Sequence, residues 1–364
     1  MARSKRIIIS GYYGFANTGD EAVLAAIIDG LKAQLGDAAD ITVLSAAPEE
    51  TAELYGVKAI PRMSLGEVKK VIKDCDLLIS GGGSLIQDAT SVQSLIYYLS
   101  VIALAKHYGR KVMIMGQGIG PLRRNSSRKM VQFVLNRVDH ITVRDADSAA
   151  LLREVGVTRP PIEVTADPTF TLEPCSPDRA LNLLFEIGLR ESDDITAISL
   201  RDWIDIPEIE DAAVDAIKTL SLKLPGKILL VTMQSPDDEI LARRVAKKTG
   251  VAVQPYLWTP SELIGVLGKC KFVVGMRLHA LIFAASAQVP CIGIAYDPKV
   301  ASFLSATGQA GLTLDETASG HLADQVMAAW NTRDLFASRL TGRIPLMKLS
   351  AEVNIQLAIK ILWE

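Results

Sequence analysis

The residues best suited to chemistry are one histidine and a group of cations placed where strands end. In GMRLHALIFAASAQVPCIGIAYDPKV, Gly275 to Val300, the run FVVGM delivers Arg277 and His279 to the start of a small-residue helix, and CIGIAY delivers Asp297 and Lys299 to the neighbouring loop. Two cations and an imidazole at one corner suit an anionic substrate and a proton transfer, because histidine is the side chain that titrates near neutral pH. ISLRDW adds Arg201 at another strand end, where it either binds substrate or closes a salt bridge. In TVRDADSAALL, Arg144 ends a strand and calls for an anion, whereas Asp145 and Asp147 open a helix and read as cap and dipole partners rather than as a metal-binding DxD. His107, His140 and His321 lack comparable company.

Two further segments offer backbone rather than charge. GYYGFANTGDEA, Gly11 to Ala22, leads from a strand into a helix, and its Asn17, Thr18 and Asp20 either cap that helix or face a ligand. It fits neither GxGxxG nor the P-loop, so neither a nicotinamide dinucleotide nor a nucleotide triphosphate is indicated. ISGGGSLIQDATS holds Gly81, Gly82 and Gly83 in succession, each costing about 0.5–1 kcal/mol relative to alanine in regular structure. They form either a nest for an anion or sugar, or a close-packed crossing. Asp88 behind them is either a base for a sugar hydroxyl or a solvated acid. GQGIGPL, Gly116 to Leu122, has the look of a dinucleotide loop, but Pro121 stands where the helix should start.

The elements that position these residues follow from the alternation of β-branched runs with helical patterns. RIIIS, ITVLS, DLLIS, KVMIMG, HITVR and IEVTA are separated by segments such as EAVLAAIIDGLKAQL, where Val23, Ile27 and Leu31 share a face. After Phe170 the texture turns to TLEPCSPDRALN, a linker, and alternation resumes with ITAISL, KILLVTM, FVVGM and CIGIAY. At 364 residues two cores are expected. The reading is therefore an α/β protein of two doubly wound, Rossmann-like domains facing a cleft: residues 1–172, residues 173–344, and a terminal helix over 345–364. In that helix Leu346, Leu349, Val353, Leu357 and Ile361 form a stripe that either crosses back to the first domain or caps its own.

Composition excludes several classes. Lys plus Arg number 39 against 41 for Asp plus Glu, so there is no global field for nucleic acid or an anionic membrane, and any anion site must be local. The start MARSKRIIIS has no secretory pattern, and LIYYLSVIALA is about half a membrane span, which points to a cytoplasmic protein with at most transient membrane-surface contact. Cys75, Cys175, Cys270 and Cys291 are scattered and read as reduced core thiols, with no metal site. Aromatics are 5% of residues, leaving Tyr12, Tyr13, Trp203 and Trp258 as the few platforms for sugar stacking, which argues against a polysaccharide-binding module.

Together GFANTGDEA, GGGSLIQD, GQGIGPL, VRDADS, ADPTF and MRLHALIFA through AYDPKV resemble the polysaccharide pyruvyl transferase family, more closely its bacterial CsaB-type members, over nearly the whole chain. The resemblance implies a GT-B-like fold and transfer of pyruvate from phosphoenolpyruvate to a sugar, leaving a cyclic ketal, with no cofactor. It implies as acceptor an N-acetylmannosamine unit of a lipid-linked cell-wall polysaccharide whose ketal serves S-layer anchoring. Arg144, His279 and Lys299 occupy the family's Arg, His and Lys positions. On this reading His279 is the general acid and Asp20 or Asp88 the base. Arg144, Arg277, Lys299 and Arg201 bind the donor, while Asn17, Thr18, Gly82 and Gly83 line the acceptor. The competing reading is a GT-B glycosyltransferase using a nucleotide sugar.

Overall fold

The β-branched runs form strands because both faces of each are covered, which is the setting a parallel sheet requires. The computed structural model describes residues 4–201, 209–313, 316 and 322–364; Trp203 and His321 lie outside them. The chain forms two compact units, one of residues 1–15, 20–172 and 347–364, the other of residues 16–19 and 173–346.

In the first unit, β1 (Lys5–Ser10), β2 (Ala39–Ser45), β3 (Lys58–Pro61), β4 (Leu77–Gly81), β5 (Lys111–Gln117), β6 (His140–Val143) and β7 (Ile162–Val164) build one seven-stranded sheet in the order β3-β2-β1-β4-β5-β6-β7. All pairings are parallel. One core lies on each face, around Leu78, Ile102, Ile114 and Val131 on one side and Ile7, Ile27, Ile79 and Met113 on the other. In the second unit, β8 (Ile195–Ser199), β9 (Lys227–Val231), β10 (Ala252–Val253), β11 (Phe272–Gly275), β12 (Cys291–Ala295) and β13 (Ala310–Thr313) form a six-stranded parallel sheet ordered β10-β9-β8-β11-β12-β13. Its core includes Ile198, Leu230, Phe272 and Trp330. Cys75, Cys270 and Cys291 are buried free thiols, each pushed up to about 12 by burial.

The terminal helix is longer than its hydrophobic stripe suggests. It runs from Arg333 to Trp363 with Pro345 inside, and its residues from Met347 onward cluster with the first unit. The buried face is also different. Leu346 and Leu349 are exposed, whereas Ile355, Ala358, Ile361 and Leu362 join the core beside Ile7 and Ile9. Asn354 is wholly buried among them, accepting from the Thr142 and Thr165 hydroxyls and donating to the Ala166 carbonyl. A polar residue at the centre of the packed face broke the apolar periodicity.

Candidate active site

In a doubly wound sheet, ligands bind beyond the carboxyl ends of strands where the strand order reverses. In the second unit that point lies between β8 and β11. The expected imidazole and three of the cations stand at or beside it.

β11 ends at Gly275, and Arg277 occupies the N-cap of the helix Leu278–Ser286. Its guanidinium is not awaiting an anion, as the sequence suggested. Nε and Nη2 donate to the two Asp238 oxygens at 2.9 and 2.6 Å, and Nη2 also to Gln234 Oε1 at 3.1 Å. Asp238 is 1% exposed, in the first turn of the helix Asp237–Thr249 that follows β9. Burial pushes its carboxyl up, while Arg277, the Met233 N–H and the Arg201 charge pull the other way.

His279 lies in the first turn of Leu278–Ser286, with its ring centroid 6.1 Å from that of Phe283. Its imidazole rests on the backbone of Gly19, where a Cβ would sit 2.2 Å from Nδ1, so only glycine admits the ring there. Residues 16–19 belong to this unit: the Thr18 N–H donates to the Met233 carbonyl at 2.8 Å, and Ser235 N–H to that of Ala16 at 3.1 Å. Asn17 Oδ1 accepts the Gly19 N–H at 3.0 Å, and Thr18 is 4% exposed. Asn17 and Thr18, two of the four residues assigned to the acceptor from sequence, thus hold a segment under the imidazole.

Beyond β8, Arg201 Nη1 donates to the Tyr296 hydroxyl at 2.8 Å and its guanidinium lies 5.2 Å from that ring's centroid. Beyond β12, Asp297 caps the helix Pro298–Thr307, and Lys299 Nζ is 3.2 Å from Asp297 Oδ2. Three cations, Arg201, Arg277 and Lys299, and two carboxylates, Asp238 and Asp297, therefore follow the carboxyl ends of the second sheet's strands β8, β9, β11 and β12, and His279 follows β11.

In the first unit the order reverses between β1 and β4. The glycines after β4 turn out to be a packing device. Gly82 and Gly83 have φ of +61° and +65°, the left-handed region that glycine tolerates. A Cβ on Gly82 would lie 1.9 Å from Val23, and its N–H is already spent on the Met115 carbonyl at 2.9 Å, so at Gly82 the close-packed alternative is the one the structure supports. Gly83 does meet a chemical group: a Cβ there would be 2.5 Å from Asp20 Oδ1. Asp88 is corrected as well. It is 6% exposed, and its two oxygens accept the N–H groups of Arg123 at 2.7 Å and Arg124 at 2.9 Å. Burial acts to raise this carboxyl, but those hydrogen bonds outweigh it and hold it below its ordinary value, which suits a loop clamp and not a base. Of the two acids, Asp20 is left as the candidate base.

Arg144 has its anion within the fold. Its side chain is 7% exposed; Nη1 donates to Asp167 Oδ2 at 2.9 Å and Nη2 to Ser84 Oγ at 3.3 Å, over Gly118. Asp145 caps the helix Ala146–Glu154 by accepting the Ser148 N–H at 2.7 Å, so the DxD is a helix start. The aromatic platforms are fewer than the sequence offered. Tyr13 and Trp258 are 1% and 2% exposed, and Tyr12 is stacked on Phe15 with centroids 4.1 Å apart.

Asp238, Gln234, Asp167 and Tyr296 were missed as partners. Each follows the carboxyl end of a strand, and scanning all strand ends for acids and amides instead of for cations would have found MQSPDD and ADPTF. Asp238 in a first helical turn resembles a dipole partner, and the sequence holds no sign that Arg277 reaches it.

The polysaccharide pyruvyl transferase family model matches residues 17–298. The chain is 22% identical over 353 residues to the amylovoran biosynthesis protein AmsJ of Erwinia amylovora, covering 81% of this chain and 84% of AmsJ. Among solved structures, it is similar to Anabaena HepE in complex with UDP and glucose, at 12% identity and TM-score 0.62 over 98% of this chain and 99% of HepE. It is similar also to a putative UDP-N-acetylglucosamine 2-epimerase from Listeria monocytogenes, at 13% identity and TM-score 0.68 over 100% and 97%. At such identities these structures speak for the fold, two Rossmann-like domains of the GT-B kind. The family match spans parts of both units and includes Asp20, Arg144, Arg277 and His279, and the chain belongs to the polysaccharide pyruvyl transferase family.

Proposed function

We propose that the protein transfers the pyruvyl group of phosphoenolpyruvate to an N-acetylmannosamine unit of a lipid-linked cell-wall polysaccharide in the cytoplasm, forming the cyclic ketal used for S-layer anchoring and releasing phosphate. The observation that carries the reading is the imidazole of His279, held on Gly19 just past β11, with Arg277 on the same strand end and Arg201 and Lys299 at the ends of the two neighbouring strands, β8 and β12. Phosphoenolpyruvate carries nearly three negative charges, since its phosphate loses a second proton at a pKa of about 6. Three cations against two carboxylates match part of that charge locally, without a basic protein overall.

His279 delivers a proton to the methylene carbon, which becomes the methyl group. The adjacent carbon takes on oxocarbenium character and a sugar hydroxyl attacks it, passing its proton to Asp20. The C–O bond to phosphate then breaks, with the proton held by Asp20 passing to the departing phosphate, and the second hydroxyl closes the ketal on the oxocarbenium carbon, returning its proton to His279. Arg201 and Lys299 contact the donor, and Arg277, clamped by Asp238, presents its remaining N–H groups. Arg144, bound to Asp167 and Ser84, is assigned to shaping the loops of the first unit.

The test is phosphate release from phosphoenolpyruvate with a panel of amino-sugar glycosides, run in deuterated water. One deuterium in each new methyl group, and release only with an acceptor present, is the expected result. Turnover of a nucleotide sugar with no use of phosphoenolpyruvate would replace this reading with the glycosyltransferase one, which draws on the fold alone.

A further inference from the structure

Between Ala89 and Val138 the chain carries eight Lys or Arg residues and no Asp or Glu, in a protein of net charge −2. The stretch forms the helices Val92–His107 and Asn125–Leu135 of the first unit, with β5 between them. Lys106 and Arg128 are engaged by Asp139 and Glu154 at 2.7 and 2.6 Å, but Lys129 and Arg137 are exposed on the surface.

Between the two helices lies an apolar groove of about 420 Å³, continued by a depression of about 320 Å³ that shares Ala103, Phe133 and Val134 with it. Ile96 and Phe133 stand out at 44% and 63% exposure, Lys129 borders the first hollow, and Arg137 borders the second with its guanidinium 3.6 Å from the Phe133 centroid. Exposed apolar groups with cations on their rim, on helices that themselves carry no acid, are what an anionic lipid surface selects: the cations meet phosphates and the apolar groups enter the headgroup boundary. A symmetric second copy would set this basic face against itself. Among the described residues no helix is long and apolar enough to cross a membrane, so attachment here is to a surface.

We propose that this groove docks the protein on an anionic bilayer, with Ile96 and Phe133 entering the interface and Lys129 and Arg137 meeting lipid phosphates. The proposal stands apart from the pyruvyl-transfer reading and adds to it by bringing the enzyme to a lipid-linked acceptor.

The experiment is co-sedimentation of the full chain with vesicles of phosphatidylcholine alone or mixed with phosphatidylglycerol, across a salt series. Binding should need phosphatidylglycerol and weaken with salt. The double variant K129E/R137E should cut partitioning by about twenty-five-fold or more, since each basic residue contributes about fivefold at such a surface. Phe133→Ser should cut it by about tenfold, with circular dichroism unchanged for both. Equal binding to neutral vesicles, no binding at low salt, or variants that bind like the parent would overturn the proposal. Loss of self-association in these variants with lipid binding intact would also overturn it, in favour of a second copy. Phosphate release with a water-soluble acceptor, which these variants should leave unchanged, reads the pyruvyl-transfer proposal separately.

Discussion

The carboxyl ends of the two sheets are built on opposite principles. In the second unit the switch point is lined by ionic side chains organised around a buried carboxylate, Asp238, that fixes Arg277. In the first it is lined by close-packed backbone, where Gly82 and Gly83 admit Val23 and Asp20, and where Arg144 is neutralised by Asp167. An electrostatic site tolerates small shifts but depends on charge. A packed site tolerates charge changes on its surface and depends on shape.

The largest effect that tests this contrast is expected at His279. His279→Gln should lower the rate of phosphate release by about 10²- to 10⁴-fold, the usual span for a general acid; a variant with the parent's turnover and pH profile removes the imidazole from the chemistry. Next comes the buried pair. Asp238→Ala strands the Arg277 charge in the interior and should cost about 3–5 kcal/mol, read by urea unfolding. A cost under 1 kcal/mol would mean that the second site does not rest on that carboxylate.

A smaller change is expected at Lys299, whose ammonium is paired only with the neighbouring Asp297 among the described residues. Lys299→Met should raise the apparent KM for phosphoenolpyruvate by about ten- to a hundredfold, one charge-assisted hydrogen bond being worth about 1.5–3 kcal/mol. An unchanged KM removes Lys299 from the donor site. The smallest effect, and the one that probes the first unit, is at Asp88. Its folded carboxyl is held below the ordinary value, so the stability it contributes is present above an unfolded pKa of about 3.9 and is lost as pH falls through the folded value. Asp88→Asn should therefore lose about 1–2 kcal/mol near pH 7, with the gap to the parent closing below about pH 4. A gap that persists in acid would mean the loop is held by something other than that charge.

Most of the fold was legible because both faces of the central strands are buried, so RIIIS, DLLIS, KILLVTM and FVVGM read as continuous apolar runs. The strands that went unread, β3, β10 and β13, are all at sheet edges, where KAIP, AV and AGLT are partly exposed and carry no such signal. In the candidate site, strand ends located Arg201, Arg277, His279 and Lys299, and first-turn acids were correctly read as caps at Asp145. What could not be read was pairing across sequence distance. Nothing in the order of residues says that Asp167 meets Arg144, that Asp238 meets Arg277, or that Gly19 is small because an imidazole 260 positions later needs the room.

The long helix Arg333–Trp363 sets the order in which the protein can be completed. Its buried residues Asn354, Ile355, Ala358 and Ile361 fill a space beside β1 and β6, yet they are translated after all of residues 173–346. The part of the chain that leaves the ribosome first is then the last to close, and the second unit can reach its native state while the first still waits with an open seam.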